Sequence, residues 1–310
     1  MGVVRYKLTK LIIQIGSDSP LVRTILRLQC RRASLKFHDH KVDICMGEKV
    51  IRISDKHFPY AADMANNFDT YFSQVKPEKQ GSNTVVDYST PRVQKYANGL
   101  EFEIASMPEE TEALQSYFHW YRPKVGDLVF DMGAYCGVST YHFSKCVGES
   151  GKVIAFEPDP INYALLQRNI ERHGLKNVVT LPFAIAGQSA SAEFSSEGTM
   201  GSTLKRNSSR VTLGSIETVK TISLADACTA YGTPAFAKVD IEGSEIEMLS
   251  DSQAFLRQND IQFALDTNHW LNGELTRTRV EQLFRQCGYE AESSDEHGSM
   301  TTWARRKQPA

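Results

Sequence analysis

The chain has 310 residues, 41% of them hydrophobic and 23% charged, with a formal net charge of −2. That length holds one large domain, or a domain of roughly 200 residues with an extension. The near-neutral charge points to no polyanionic partner such as nucleic acid, and no apolar run approaches the ~20 residues needed to cross a bilayer.

A secretory leader is not expected, because the apolar run 11–15 is too short to be its core. The six cysteines, at 30, 45, 136, 146, 228 and 287, are scattered with no C-x-x-C pair. They read as reduced thiols of a cytoplasmic protein, not as a disulfide frame or a zinc site. Cys136 sits inside a glycine turn, where a small filler is the commoner role. Charge is uneven: residues 1–41 carry nine Lys or Arg and two Asp, near +7, which leaves the remainder near −9.

Residues 1–118 read as an N-terminal extension of irregular α/β character. Ser19-Pro20 makes a cap and first helical turn, after which Arg23, Arg27 and Arg31 fall on one helix face and Leu21, Ile25 and Leu28 on the opposing stripe. Residues 20–36 could lie on an anionic membrane or grip a partner; a face packed on its own domain is the commoner outcome. Met1-Gly2 opens no myristoylation motif, since Tyr6 stands where Ser or Thr is wanted. Residues 42–53 suggest a hairpin turning at Gly47-Glu48, and 57–72 have helical spacing. Residues 76–83, KPEKQGSN, carry the strongest loop or linker signal of this half. Asn98-Gly99 marks a two-residue hairpin turn. Residues 107–121 then read as a helix with Glu109, Glu110 and Glu112 near its start, where acids favour the dipole.

From 125 onward strands and helices alternate, which predicts a doubly wound, Rossmann-like α/β sheet over a domain spanning 119–310. Leu128-Val129-Phe130 is a buried strand ending in Asp131, followed by Gly133, Gly137 and a helix near Ser139. Val153-Ile154-Ala155-Phe156 is the second strand and ends in Glu157. Asp159-Pro160 caps a helix that runs to His173 and stops at Gly174. Residues 178–181 are a third strand, and 187–222 a polar β excursion. Residues 235–240 are a fourth strand, with Ser244 and Glu247 forming a capping box for the helix that follows. Residues 261–266 are a fifth strand, 276–286 a helix, and 289–291 with 301–304 a closing antiparallel pair.

Such an arrangement places a ligand crevice at the carboxyl ends of adjacent strands. Glycines at 133 and 137 let backbone approach a ligand. Glu157, 26 residues after Asp131, can accept both hydroxyls of a ribose. The spacing is D-x-G-x-x-x-G, without the close glycine triplet that admits a pyrophosphate, and the Asp131 charge would repel that group. A nucleoside with a cationic end, S-adenosylmethionine, suits the site better than a dinucleotide. The plain alternative is a βαβ unit whose glycines serve only the turn. Lys238-Val239-Asp240-Ile241-Glu242-Gly243-Ser244-Glu245 puts further carboxylates at the crevice rim, where acids that merely favour a helix start are the competing explanation.

These stretches resemble the FkbM-type S-adenosylmethionine-dependent methyltransferases. The resemblance is carried by Val129-Phe130-Asp131-Met132-Gly133-Ala134 with Gly137 and Ser139, by Phe156-Glu157-Pro158-Asp159-Pro160, and by the Lys238–Glu245 motif, and it covers roughly 122–306. It implies a seven-stranded sheet with the last strand antiparallel, and methylation of a hydroxyl on a sugar, glycan or secondary metabolite. It also implies that Asp131, Gly133 and Gly137 flank the methionine part of the cofactor, that Ala134 and Ser139 are further cofactor-binding residues, that Glu157 holds the ribose, and that the Phe183-Ala184 turn borders the adenine. One departure stands out. Where the family has Glu-x-His at the end of the fifth strand, this chain reads Leu265-Asp266-Thr267-Asn268-His269.

An alcohol is nearly unionised at neutral pH, so a base must take its proton or a metal must acidify it. Asp240, Glu242 and His269 are the candidate catalytic groups, with His269 or Asp240 as base. Asp240, Asp266 and Asn268 are candidate oxygen ligands for Mg²⁺, in a layout resembling catechol-type methyltransferases. His269-Trp270 could equally be a core pair. A nucleotide-dependent oxidoreductase or epimerase is the rival enzyme class, weakened by the missing third glycine and the missing Tyr-x-x-x-Lys. A non-catalytic binding protein on the same fold is the other rival. Acceptor specificity is expected from residues 1–118 and 187–222. Tyr60, Phe72, Tyr96, Trp120 and Tyr135 are candidates to stack on a sugar, with core packing the commoner role.

Overall fold

The computed structural model describes residues 12–109, 113–205, 214–271, 274–296 and 300–307, and the chain divides into two compact units, Met1–Pro108 and Glu109–Ala310. Among the described residues no helix is long and apolar enough to cross a membrane.

The first unit is built on β1 (Ser34–His38), β2 (Lys41–Met46), β3 (Lys49–Ser54), β4 (Glu78–Gln80) and β5 (Asn83–Tyr88), in the order β1-β2-β3-β5-β4. β3 and β5 run parallel and the other neighbours antiparallel. Val42, Ile44, Val50, Ile51, Ile53, Val85 and Val86 are buried along these strands, and the hairpin at Gly47-Glu48 forms with Gly47 at φ 61°. The stretch 76–83 is not a linker. It folds into the β4–β5 hairpin, with Gln80 opposite Asn83 and Gly81 at φ 62°. β4 is fully exposed, so an edge strand here carries no apolar alternation to read.

Three local expectations change in this unit. Residues 57–72 are not one helix: a 3-10 turn (Asp55–Tyr60) containing Pro59 is followed by helices Ala61–Asn66 and Phe68–Ser73. They break at Asn67, whose side chain bonds back to Asp63 (3.1 Å) in place of the helical ladder. The Asn98-Gly99 connection between β6 (Arg92–Lys95) and β7 (Glu101–Ile104) is one residue longer than a two-residue turn. Tyr96 N–H donates to the Leu100 carbonyl (2.8 Å), leaving Ala97-Asn98-Gly99 as the loop with Gly99 at φ 89°. In helix Pro20–Gln29 the buried face is Val22 and Leu26, while Leu21 and Leu28 are 58% and 81% exposed. The Arg23 and Arg27 guanidinium groups lie over the Phe37 ring at 5.0 and 5.5 Å, so these arginines lean on the unit's own surface.

In the second unit β8 (Leu128–Met132), helix Val138–Val147, β9 (Lys152–Phe156), helix Pro160–Arg172 and β10 (Val178–Leu181) alternate. Next come β11 (Phe183–Ala186), β12 (Ala190–Ser196), β13 (Thr203–Leu204) and β14 (Ser215–Ser223), a separate sheet in the order β11-β14-β12-β13. The Phe183-Ala184 turn is therefore a strand, pairing in parallel with β14. Helix Leu224–Tyr231, β15 (Phe236–Val239), helix Glu245–Asp251 and β16 (Gln262–Asp266) follow. The short hairpin β17 (Trp270–Leu271) with β18 (Glu274–Leu275), helix Thr276–Gln286, β19 (Tyr289–Ser294) and β20 (Thr301–Arg306) complete the unit.

The main sheet has the order β10-β9-β8-β15-β16-β20-β19, with β20 antiparallel to both its neighbours. Its central strands are buried on both faces, which is why they read as continuous apolar runs. Phe130, Met132, Ile154, Phe156, Ala237, Val239, Phe263 and Leu265 pack with Leu249, Leu283 and Phe284 in one core. Each such large side chain stabilises the unit by about 1.5–3 kcal/mol relative to exposure. Of the helix expected over 107–121, Ala113–Tyr117 is described, while residues 110–112 lie outside the described set. Strand order reverses between β8 and β15, the place where doubly wound sheets open a crevice.

Candidate active site

The crevice at this switch point is an open cleft. Among the cofactor and catalytic candidates named from the sequence, Gly133, Glu157, Phe183, Ala184, Asp240 and Glu242 line it. Asp131, Ala134, Gly137, Ser139, Asp266, Asn268 and His269 are not part of its wall.

The turn after β8 explains much of this division. Asp131 is fully buried, and its Oδ2 accepts from Ser139 Oγ (2.8 Å) and Thr140 Oγ1 (2.6 Å), tying the start of helix Val138–Val147 to the strand end. Gly133 adopts φ 81°, and a Cβ there would lie 1.8 Å from the Asp240 carbonyl oxygen. The close approach it permits is therefore between two strand ends, beside any ligand. At Gly137 (φ 93°) a Cβ would meet a Leu166 methyl at 2.7 Å. Tyr135, at φ 47°, aims its N–H at Glu157.

Glu157 is 5% exposed and both its oxygens are held by backbone: Oε2 accepts from Tyr135 N (2.8 Å) and Oε1 from Asp159 N (2.9 Å). Each oxygen keeps a second lone pair for a ligand hydroxyl. Burial, and then the Asp159 charge, push its pKa up to about 8 against the pull of the two N–H donors and Lys238. Asp159 caps helix Pro160–Arg172 through Ile161 N (2.8 Å) and also accepts from Gly198 N (3.1 Å) and Ser202 Oγ (2.6 Å). With Asn162 Nδ2 donating to the Thr199 carbonyl (3.1 Å), it pins the loop 197–202 against the cleft.

Lys238 was present in the sequence motif without a role. Its ammonium, 1% exposed within β15, donates to the Gly133 carbonyl (2.6 Å) and faces Asp131 (3.5 Å) and Asp240 (3.8 Å). Burial works against its charge, yet Asp131, Asp240, Glu109 and Glu157 together hold its pKa above the usual lysine value. Glu109 also lines the cleft, and burial raises it to about 7. A midstrand lysine shows no periodicity that would separate it from an exposed one; only the charged neighbours brought by other strands reveal it.

The second half of the site gathers Asp240, Glu242 and His269. His269 Nε2 lies 3.7 Å from Asp240 Oδ1 and 3.7 Å from Glu242 Oε2, and Nδ1 lies 2.9 Å from Glu245 Oε1. Burial alone would lower the His269 pKa, but Glu245, then Glu242 and Asp266, hold it well above the usual histidine value. A protonated imidazole cannot accept a further proton, so of the two candidate bases the geometry favours a carboxylate. The oxygen set Asp240, Asp266 and Asn268 is not what converges: Asp266 accepts from its own Asn268 N–H (2.9 Å), and Asn268 is exposed. Trp270 is 54% exposed, not a core partner of His269.

Glu242 holds a left-handed φ of 52°, with its carbonyl fixed by Thr203 Oγ1 (2.8 Å). The capping box is not formed. Ser244 makes no side-chain cap, and Glu247 accepts from Gly187 N (3.2 Å) while Glu245 accepts from Gly243 N (3.2 Å). Among the candidate stacking aromatics, Phe72, Tyr96 and Tyr135 are buried and Trp120 stacks on Trp303 (6.5 Å), so packing takes most of them. Tyr135 alone of these four reaches the cleft wall.

The doubly wound sheet with acids at the rim of its switch-point cleft defines an α/β domain with a ligand site at its strand ends. Residues 131–291 match the methyltransferase FkbM domain, and the chain belongs to that family. Among solved structures it is similar to a methyltransferase FkbM from Methylobacillus flagellatus, with 12% identity, a TM-score of 0.46, and 93% of this chain and 60% of that one covered. It is also similar to precorrin-6y C5,15-methyltransferase from Geobacter metallireducens (13% identity, TM-score 0.43, 67% and 93% covered). A third is Aeropyrum pernix fibrillarin with natively bound S-adenosyl-L-methionine (12% identity, TM-score 0.39, 88% and 97% covered). The chain thus spans 60% of the length of the first of these. No curated protein matches the chain.

Proposed function

We propose that the chain is an S-adenosylmethionine-dependent O-methyltransferase acting on a hydroxyl of a sugar, glycan or secondary metabolite. The observation that carries this reading is one cleft in which Glu157, Gly133 and Phe183 meet the carboxylates of Asp240 and Glu242. The residues suit the cofactor: Glu157 offers two pinned oxygens to a ribose, Phe183 and Ala184 a flat apolar wall to a base, and the acidic rim a counter-charge to a sulfonium. When bound, S-adenosylmethionine supplies a methyl group whose C–S bond breaks, with its electron pair passing to sulfur, as the acceptor oxygen forms the new C–O bond.

The chain's own residues align the acceptor within ~3–3.5 Å of that methyl group and take its proton onto the Asp240 carboxylate. Lys238 holds Asp240 and the Gly133 carbonyl in register. Acceptor specificity is assigned in this reading to residues 1–118 and to the 187–222 excursion, since the core supplies mainly the cofactor site. Incubation with methyl-labelled S-adenosylmethionine and a panel of sugars, glycans and phenolic metabolites tests the reading. Label on an acceptor oxygen, lost in Asp240→Asn with cofactor binding kept, supports it; label transferred to nitrogen or carbon acceptors, or equal transfer by Asp240→Asn, overturns it.

A further inference from the structure

Three donor atoms of different chemistry meet at the rim of the cleft. One oxygen each of Asp240 and Glu242 and a ring nitrogen of His269 lie within 4.8 Å of one another, and all three side chains are partly open to solvent. Asp240 divides its carboxylate, with Oδ2 toward Lys238 (3.8 Å) and Oδ1 toward His269 Nε2 (3.7 Å). Behind the histidine, on its Nδ1 side, stands Glu245. It is completely buried, presents Oε1 to Nδ1 at 2.9 Å, and has no hydrogen-bond partner for Oε2 among the described residues.

We propose that Asp240, Glu242 and His269 hold a divalent first-row cation of the Mn²⁺ type, with Glu245 as the positioning residue that orients the imidazole. The proposal deepens the methyl-transfer reading, since a cation here would hold and acidify the acceptor hydroxyl. Geometry, charge and the buried carboxylate behind the ring all converge on it. Donors 3.7 Å apart around a centre about 2.1–2.2 Å from each subtend roughly 120°, within the range of a four- to six-coordinate ion after small side-chain adjustments. Binding an ion through Nε2 displaces the proton that the carboxylates hold on His269, and the two carboxylates with the then neutral ring carry the −2 charge that a divalent ion balances. A carboxylate behind the far nitrogen of a ligating histidine is the usual device for fixing its tautomer and raising its basicity. The imidazole also selects among metals: it brings in first-row transition ions over Mg²⁺ and Ca²⁺, and the two carboxylates beside it suit Mn²⁺.

The test is titration of the full chain with Mn²⁺ alone, followed by electron paramagnetic resonance of the free ion, with S-adenosylhomocysteine binding measured by calorimetry on the same samples. One Mn²⁺ per chain is expected. Glu242→Gln and His269→Ala are expected to weaken it at least tenfold, and Glu245→Gln about 10–100-fold, with the melting temperature nearly unchanged in Glu242→Gln. No bound Mn²⁺ at millimolar concentration, or equal affinity in wild type and Glu242→Gln, overturns the site. If S-adenosylhomocysteine still binds in that case, the methyltransferase reading survives. Mn²⁺ binding without S-adenosylhomocysteine binding supports the site and removes that reading instead.

Discussion

Replacing Lys238 with methionine probes the joint on which both halves of the cleft depend. The substitution keeps the length of the side chain and removes its charge. In the folded protein the ammonium is 1% exposed and compensates Asp131, itself 0% exposed, whose Oδ1 has no hydrogen-bond partner among the described residues and faces the ammonium at 3.5 Å. Removing one member of a buried pair strands the other charge and costs ~3–5 kcal/mol. A unit of this size loses about 2–4 °C of melting temperature per kcal/mol, so Lys238→Met should melt roughly 6–20 °C below wild type. Thermal unfolding followed by circular dichroism at neutral pH gives the number. Asp131→Asn in the same background should recover a large part of the loss, because it removes the stranded charge and retains an oxygen that can accept from Ser139 and Thr140. A Lys238→Met protein melting within about 2 °C of wild type would refute the reasoning, as would a double variant less stable than the single one.

The remaining expectations concern the turn, the cap and the buried acid. Gly133→Ala should prevent soluble folding or remove cofactor binding, since its Cβ would sit 1.8 Å from the Asp240 carbonyl; a soluble, binding-competent variant contradicts the close approach. Asp159→Ala should cost about 1–2 kcal/mol for the lost cap and make loop 197–202 cleavable by protease, with resistance equal to wild type as the contrary result. Because the folded pKa of Glu157 is raised to about 8 from an ordinary 4.5, the folded state holds the extra proton between those values. Its contribution to stability is then fully present below pH 4.5 and is lost as pH rises through 8. Melting temperatures of Glu157→Gln across that interval should decline less than those of wild type, and parallel curves would rule the shift out.

Much of the second unit was legible because buried parallel strands write themselves as apolar runs ended by an acid or a glycine. β8, β9, β15 and β16 all follow that grammar, and Asp159-Pro160 names its own cap. Contacts between distant parts of the chain were not legible. Whether Asp131 faces a ligand or two hydroxyls on the next helix depends on how Ser139 and Thr140 turn, and sequence spacing permits both. Lys238 and Glu245 owe their character to neighbours 100 or so and about 24 residues away. In the first unit the exposed edge strand β4 left no pattern, and the helix expected over 57–72 was cut by Pro59 and by the Asn67 side chain. The helix at Pro20–Gln29 was placed correctly with its buried face misjudged, since Val22 with Leu26 forms as good a stripe as Leu21 with Leu28.

The most direct measurement is calorimetric titration of the full chain with S-adenosylhomocysteine, beside Glu157→Ala. One equivalent should bind to wild type, and the variant should lose about 10–100-fold in affinity, because the hydrogen bonds from Glu157 to the ribose hydroxyls disappear. Absence of binding to wild type, equal affinity in the variant, or preferential uptake of NAD would contradict the account.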